Sequence, residues 1–351
     1  MSSRADDQSK VAALAHAHPR RVVPAFGYHP WWTHAISLRR PPPAREEHYR
    51  ALFLGGGEDL KDSGEKGKER EEAFQRLWPG LAEPRALDDV LEELRANLVA
   101  FPAALLGEVG IDRAARPDHA DPFADWSRRA LSPFTTPLDH QLAVLDAQLA
   151  LAVELRRPVS LHSVKAPAPT RALLDRAAAR HGHAFSAVSV DLHSCGLSPE
   201  VWVDIEKHHA NVYLSLSTAI NARSPNHVAL IRTAAPTRLL AESDYPFAHL
   251  SAQETWRMVL TIAQTRGWRV EDAWDYPEVA DESEIVGEDA REGWGVVRRL
   301  EENWRAFLRG GHAPPGAEKK VGKSSARRRR DYSYDVWDSG EESGGETLDA
   351  K

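Results

Sequence analysis

Five side chains in this sequence are of kinds that bind divalent cations, and short apolar runs lead into each of them. Glu108 lies in GEVGID after residues 103–106, His162 in PVSLHS, His193 in VDLHS, and Glu242 and Asp244 in LLAESDYP. Imidazole nitrogen and carboxylate oxygen suit zinc, manganese and related ions, and a catalytic centre leaves one position open for water. Each residue alone is ordinary, because a strand-end Glu or His is most often a hydrogen-bonded structural group or a solvated one. Their common placement is what carries weight. Glu108, His162, His193 and Asp244 each stand where a buried strand should surface, and the strand ends of a parallel barrel converge on one pocket. His29, between an aromatic and a proline in FGYHPWW, is a candidate for touching substrate or for simple packing. Glu242 is a second candidate for substrate contact.

The elements that must position these residues follow from periodicity. Residues 6–18 are predicted as a helix ended by Pro19, and residues 21–25 as a strand. From 39 to 84 the rhythm is lost: Pro41 to Pro43, Gly55 to Gly57 and a run of charges read as an irregular insertion. Val90, Leu91, Leu94 and Leu98 recur at helical spacing over residues 88–100, feeding the strand that is expected to stop at Gly107. Thr136 is the expected N-cap of the next helix, with Pro137 in its first turn. Strands over 159–162, 187–193, 212–217 and 238–241 then alternate with helices over 170–180, 199–208 and 225–234. That alternation predicts an α/β fold with a parallel sheet covered by helices.

The chain has 351 residues, 42% hydrophobic and 28% charged, which is enough for one large α/β domain with insertions. Its single cysteine, Cys195, excludes a disulfide framework, and no apolar segment near Met1 reads as a signal peptide or membrane span. A reducing compartment, cytoplasm and/or nucleus, is expected. A net charge of −7 argues against nonspecific coating of duplex nucleic acid, which needs many Lys and Arg. The barrel is expected over residues 1–309, with a second, acidic insertion at about 271–295. Residues 310–351 carry a basic block, Lys319 to Arg330, and then an acidic stretch rich in serine and glycine. They are predicted to be a disordered tail.

In order along the chain, GYHP (27–30), GEVGID (107–112), Q-x-x-L-A-x-E-L leading into PVSLHS (148–163), LHSCG (192–196) and ESDYP (242–246) resemble the TatD-type metal-dependent deoxyribonucleases, in particular their fungal branch. The resemblance implies a TIM-barrel-like (β/α)8 fold and a divalent metal cation (Mg, Mn or Zn). Its ligands would be Glu108, His162, His193 and Asp244. Asp244 and Glu108 would be the catalytic pair, with Asp244 helping to deprotonate water. It further implies a phosphodiester substrate such as single-stranded DNA. For the fungal branch it also implies a protein partner with tetratricopeptide repeats, from the anaphase-promoting complex. A catalytically weak barrel that serves as an interaction scaffold is the alternative. Departures are plain. The family opens with two strands and an H-x-H metal pair, whereas His16 and His18 here sit in an alanine-rich helix and are not expected to bind metal. The barrel is therefore expected to lack its first two strands, through an incomplete gene model in preference to degeneration, and to leave one sheet edge unpaired. Ser194, Cys195 and Ser243 are milder substitutions.

Overall fold

The computed structural model describes residues 1–55, 65–117, 131–271 and 293–313. In chain order the elements are α1 (Ala5–Ala17), β1 (Ala25–Phe26), β2 (Ile36–Ser37), α2 (Arg45–Leu54), α3 (Glu65–Leu77), β3 (Arg85–Ala86), α4 (Leu87–Ala100), β4 (Leu105–Asp112) and α5 (Leu138–Leu155). They continue with β5 (Val159–Val164), α6 (Pro167–His181), α7 (His183–Ser186), β6 (Val190–His193), α8 (Pro199–His208) and β7 (Val212–Ser217). The last are α9 (Thr218–Asn221), α10 (His227–Thr233), β8 (Leu239–Glu242), α11 (Ala248–Arg266) and α12 (Val296–Arg309).

Among the described residues six strands form one parallel sheet in the order β1-β4-β5-β6-β7-β8, and β2 pairs with β3 apart from it. Strand order follows chain order, with a helix returning the chain after each strand, as parallel pairing requires. The sheet is curled: Ala25 of β1, Leu105 of β4, Tyr213 of β7 and Leu240 of β8 share one apolar cluster with Phe307. On the outer side, the strand residues Leu106, Val159, Val190 and Leu239 pack under the buried faces of α4, α5, α6, α8 and α12. The result is an α/β, TIM-barrel-like arrangement with six strands where a complete barrel has eight.

Several elements depart from their predicted limits for identifiable reasons. The 21–25 strand shrinks to Ala25–Phe26. Its outer edge is not left unpaired: the Ser2 amide donates to Ala25 O at 2.9 Å, and the His29 amide to Ser3 O at 2.9 Å. Thr136 does not cap α5: Pro137 holds the cap position, and the buried Thr136 hydroxyl makes no hydrogen bond to the helix. The helix ends instead at Arg156, which takes a left-handed conformation and lets the Arg157 amide reach back to Ala152 O.

The insertion at 39–84 is not irregular throughout. Tyr49 and Phe53 of α2 and Phe74 and Leu77 of α3 bury against Leu81 and Phe134 in a small core of their own. The predicted 310–351 tail and 271–295 insertion fall mostly outside the described residues, as does the basic block. No helix among the described residues is long and apolar enough to cross a membrane.

Candidate metal centre

β4 does not stop at Gly107 but runs through Glu108 to Asp112, so Glu108 lies within the strand and not at its end. Pairing with β5 shifts register between Leu106 and Val109, where three steps on β4 match two on β5. Such a bulge turns a side chain toward a site that regular alternation would deny it. Two glycines make the approach of β5 possible. A Cβ on Gly107 would lie 2.8 Å from Ser160 Cβ, and one on Gly110 only 2.0 Å from the His162 carbonyl oxygen.

Two glutamines on one face of α5 hold the neighbouring backbone. Gln148, fully buried, accepts from the Tyr28 amide at 2.9 Å and donates to Tyr28 O, fixing the turn that presents His29. Gln141 does the same for Asp112, accepting from its amide at 2.7 Å and donating to its carbonyl. The two are seven residues apart, hence two helical turns and the same face.

Glu108 Oε1 is the centre of the cluster. It lies 2.7 Å from His162 Nδ1, 3.3 Å from His29 Nε2 and 3.4 Å from His193 Nε2. Asp244 Oδ1 stands 3.4 Å from the same His193 nitrogen. The structure thus links the four predicted ligands as His162, Glu108, His193, Asp244, and adds His29 from the loop after β1. Within 4.8 Å of one another, however, the ligand atoms fall into two groups, His29–Glu108–His162 and Asp191–His193–Glu242. His16 and His18 are exposed on and after α1, with the His16 ring against Phe101.

Glu242 is held by three protein donors. It accepts from His193 Nδ1 at 2.6 Å, from the Ser194 amide at 2.6 Å and from the Ser215 hydroxyl. That bond fixes which face of the His193 ring is free, leaving Nε2 for the centre. Asp191 sits behind the same ring, and burial, reinforced by Glu242, pushes its carboxyl well above the usual range. On the other side, the Trp31 indole donates to Asp112 Oδ2 at 2.6 Å, and that oxygen lies 3.6 Å from His162 Nε2. The gap is too long for a hydrogen bond, and the buried Nε2 has no other partner.

Electrostatics follow from this crowding. Burial pushes the Glu108 carboxyl up, but His193, His29 and His162 more than offset it and hold it well below the ordinary value. Burial pulls the His162 imidazole down, and Asp112 and Glu108 override it, raising it to about 9. His193 is likewise raised, by Glu242, Glu108 and Asp244 against burial. His29 goes the other way, because burial outweighs Glu108. The donor set fits a divalent cation: two carboxylates and three imidazoles converge, and one buried imidazole nitrogen has no hydrogen bond to give up.

Three non-glycine residues with left-handed backbone stand one or two positions past β5, β6 and β8: Lys165 (φ 53°), Ser194 (φ 44°) and Asp244 (φ 50°). Such conformations cost free energy and cluster where a side chain must be aimed. Sequence reasoning missed Asp112, Asp191 and Ser215 as members of the site. Asp112 ends the GEVGID motif and Asp191 precedes His193 by two, so same-face spacing along the strand was the available signal.

Comparison with known proteins identifies the family. A family model described as TatD related DNase matches residues 1–292. The Cut9-interacting protein scn1 of Schizosaccharomyces pombe is 27% identical over 308 residues, covering 78% of this chain and 86% of that protein. The uncharacterized deoxyribonuclease YMR262W of Saccharomyces cerevisiae is 25% identical over 319 residues, covering 88% and 90%. Among solved structures, the TatD homolog YJJV of Escherichia coli K12 aligns with a TM-score of 0.48 at 18% identity, over 87% of this chain and 83% of that one. With a family match spanning residues 1–292 of 351, the chain belongs to the TatD-related DNase family.

Proposed function

We propose that this chain is a divalent-metal-dependent hydrolase that cleaves phosphodiester bonds, with single-stranded DNA as substrate. Glu108, His162, His193 and Asp244 would hold the cation, and Asp244 and Glu108 would be catalytic. The observation that carries this reading is Glu108 Oε1 lying within 3.4 Å of three imidazoles, one of which also lies 3.4 Å from Asp244. When bound, the cation supplies Lewis-acid chemistry, acidifying water and offsetting charge that builds on the phosphoryl oxygens. Asp244, the least enclosed of these carboxylates, would take the proton of the attacking water. Glu242 keeps the His193 ring in one orientation through its bond to Nδ1, and Glu108 does so for His162.

The test is direct. Protein stripped with EDTA should not release nucleotides from labelled single-stranded DNA, and Mn²⁺, Mg²⁺ or Zn²⁺ should restore release. Asp244→Asn should remain folded and fail with every ion. Fully loaded protein that leaves the DNA intact would overturn the reading.

A second reading has its own support. One relative is named for its interaction with Cut9, and the His16 to His18 string of α1 and its end lies outside the cluster. On that reading the barrel is a scaffold for a protein partner, and Asp244→Asn would leave partner capture untouched.

A further inference from the structure

The segment that follows Asp244 does something no packing need explains. Tyr245 and Phe247 are 38% and 55% exposed, although large rings are ordinarily kept from water. Their centroids are 6.4 Å apart, and the exposed His249 ring follows at 6.0 Å from Phe247, so alternate residues present a row of three rings. Phe247 also holds the N-cap position of α11 and makes no capping bond. Ser, Thr, Asp or Asn there would stabilise the helix, so an exposed phenyl ring breaks a local rule without a structural return.

Across the same end of the sheet lie three cations that have no side-chain partner among the described residues. Arg113 and Lys165 each follow the last residue of β4 and β5, whose ends pair as Asp112 with Val164, so the two stand side by side. Arg223 lies in the connection after β7, which is tied to the β8 loop by the Ala219 amide on Ser243 O. All three are exposed, and among the described residues none of their side chains makes a hydrogen bond or ion pair. Lys165 keeps its place in a left-handed conformation. In a chain of net charge −7, free cations ringing a centre rich in carboxylates are a local exception with anion-binding chemistry.

We propose that Tyr245 and Phe247 form a base-stacking platform, and Arg113, Lys165 and Arg223 a phosphate track, that together select an unpaired nucleic-acid strand for the centre between them. The proposal rests on the phosphodiesterase reading and deepens it. Every base has a π face, so stacking on rings tolerates sequence, but bases paired inside a duplex cannot offer that face to Phe247. The cations hold flanking phosphates while the strand crosses the centre.

The test is binding without turnover. A short fluorescein-labelled single strand, its duplex, and the same strand with abasic sites are titrated by anisotropy with protein held in EDTA. Phe247→Ala and Tyr245→Ala should each weaken single-strand binding by about five- to a hundredfold and leave the weak duplex binding as it was. Phe247→Trp should restore it, and Phe247→Leu, which keeps apolar bulk without a π face, should not. Arg113→Gln and Lys165→Gln should each flatten the plot of log affinity against log salt, its slope falling by about 0.7 for every phosphate no longer neutralised. Abasic DNA bound as tightly as the intact strand, or Phe247→Leu binding like wild type, would overturn the platform. Tight single-strand binding in EDTA, followed by no cleavage of that strand once Mn²⁺, Mg²⁺ or Zn²⁺ is restored, would overturn the phosphodiesterase reading and leave the platform standing, so the two failures are separable.

Discussion

Glu108 Oε1 and His193 Nε2 stand 3.4 Å apart although they come from β4 and β6, with the whole of β5 between them. In a flat sheet two strands separated by a third are about 10 Å apart. The approach therefore needs both the inward curl of the sheet and the reach of side chains projecting from its concave face. It also shows why the cluster is sensitive to β4: the bulge before Val109 sets the direction of Glu108, and Gly110 lets β5 come close enough to bring His162 alongside.

Removing the charge at that point should be severe. Glu108→Gln keeps the shape but takes away the anion that His162, His29 and His193 all face, so cation affinity should fall by about a hundredfold or more. Asp244→Asn is expected to lose turnover on the order of a thousandfold, because an amide cannot accept a proton, while its cation affinity falls less than that of Glu108→Gln. Titration calorimetry with Mn²⁺ and rates on single-stranded DNA measure both. Equal cation affinity in wild type and Glu108→Gln would remove Glu108 from the ligand set.

The candidate residues were legible in the sequence where chemistry and strand ends coincide, as at His193 and Asp244; His162 was singled out too, but β5 runs on to Val164, past the expected end at His162. α8 was read at its true limits, and in the structure Ser198, Pro199 and Glu200 supply a capping side chain, a first-turn proline and an acidic first turn that fix its start. Glu108 was identified but misplaced, since Gly107 looked like a stop. In the structure it is a point of close strand approach, which a lone sequence does not distinguish from a turn. Tyr49 with Phe53 and Phe74 with Leu77 have helical spacing, but glycines and charges around them hid a pair of helices that only their mutual burial stabilises. Asp191 and Ser215 escaped notice because their relation to Glu242 depends on cross-strand register.

Cation binding should release protons. In the metal-free protein His162 is raised to about 9 and His193 also lies well above its ordinary value, so both imidazoles are protonated near neutrality. A cation binds only the neutral ring, so loading near neutral pH should expel about two protons and affinity should climb as pH rises toward 9. Stability runs oppositely in the metal-free state. A raised folded pKa gives stability that is full below about 6.5 and lost as pH rises through about 9. Calorimetry in buffers of different ionisation enthalpy, with melting of the stripped protein at rising pH, checks the two slopes. A pH-independent affinity would contradict the charge state described.

Gln148→Leu isolates the backbone clamp from the chemistry. The substitution fits the volume but leaves both the amide and the carbonyl of Tyr28 buried without their partner. We expect a loss of about 2–3 kcal/mol, read as a lower urea midpoint at unchanged slope. Because Tyr28 precedes His29, whose Nε2 faces Glu108, cation affinity should fall as well. A cost below about 0.5 kcal/mol would mean that water replaces the amide there.

Acid should loosen the chain through histidines well away from the centre. His34 is buried, its ring packed near Tyr49 and Phe53, and burial lowers its pKa to about 4, with His140 and His48 acting the same way. His48 of α2 and His140 of α5 donate to the carbonyls of His34 and Thr33, so these rings tie an inserted helix and α5 to the segment after His29. The sign follows from linkage. Unfolded imidazoles take up protons below about 6.5, but folded His34 does not until about 4, so stability falls as pH drops between those values. For His34 alone the limit is on the order of 3 kcal/mol. Glu108, with its lowered pKa, adds loss only below the unfolded carboxylate value of about 4.5, whereas Asp191, raised by burial, gains stability as pH falls, so the difference between wild type and His34→Phe, not the slope of either alone, isolates His34. Urea melts of wild type and His34→Phe across that range should show the wild type losing stability faster. Parallel slopes would show that His34 carries none of the pH dependence.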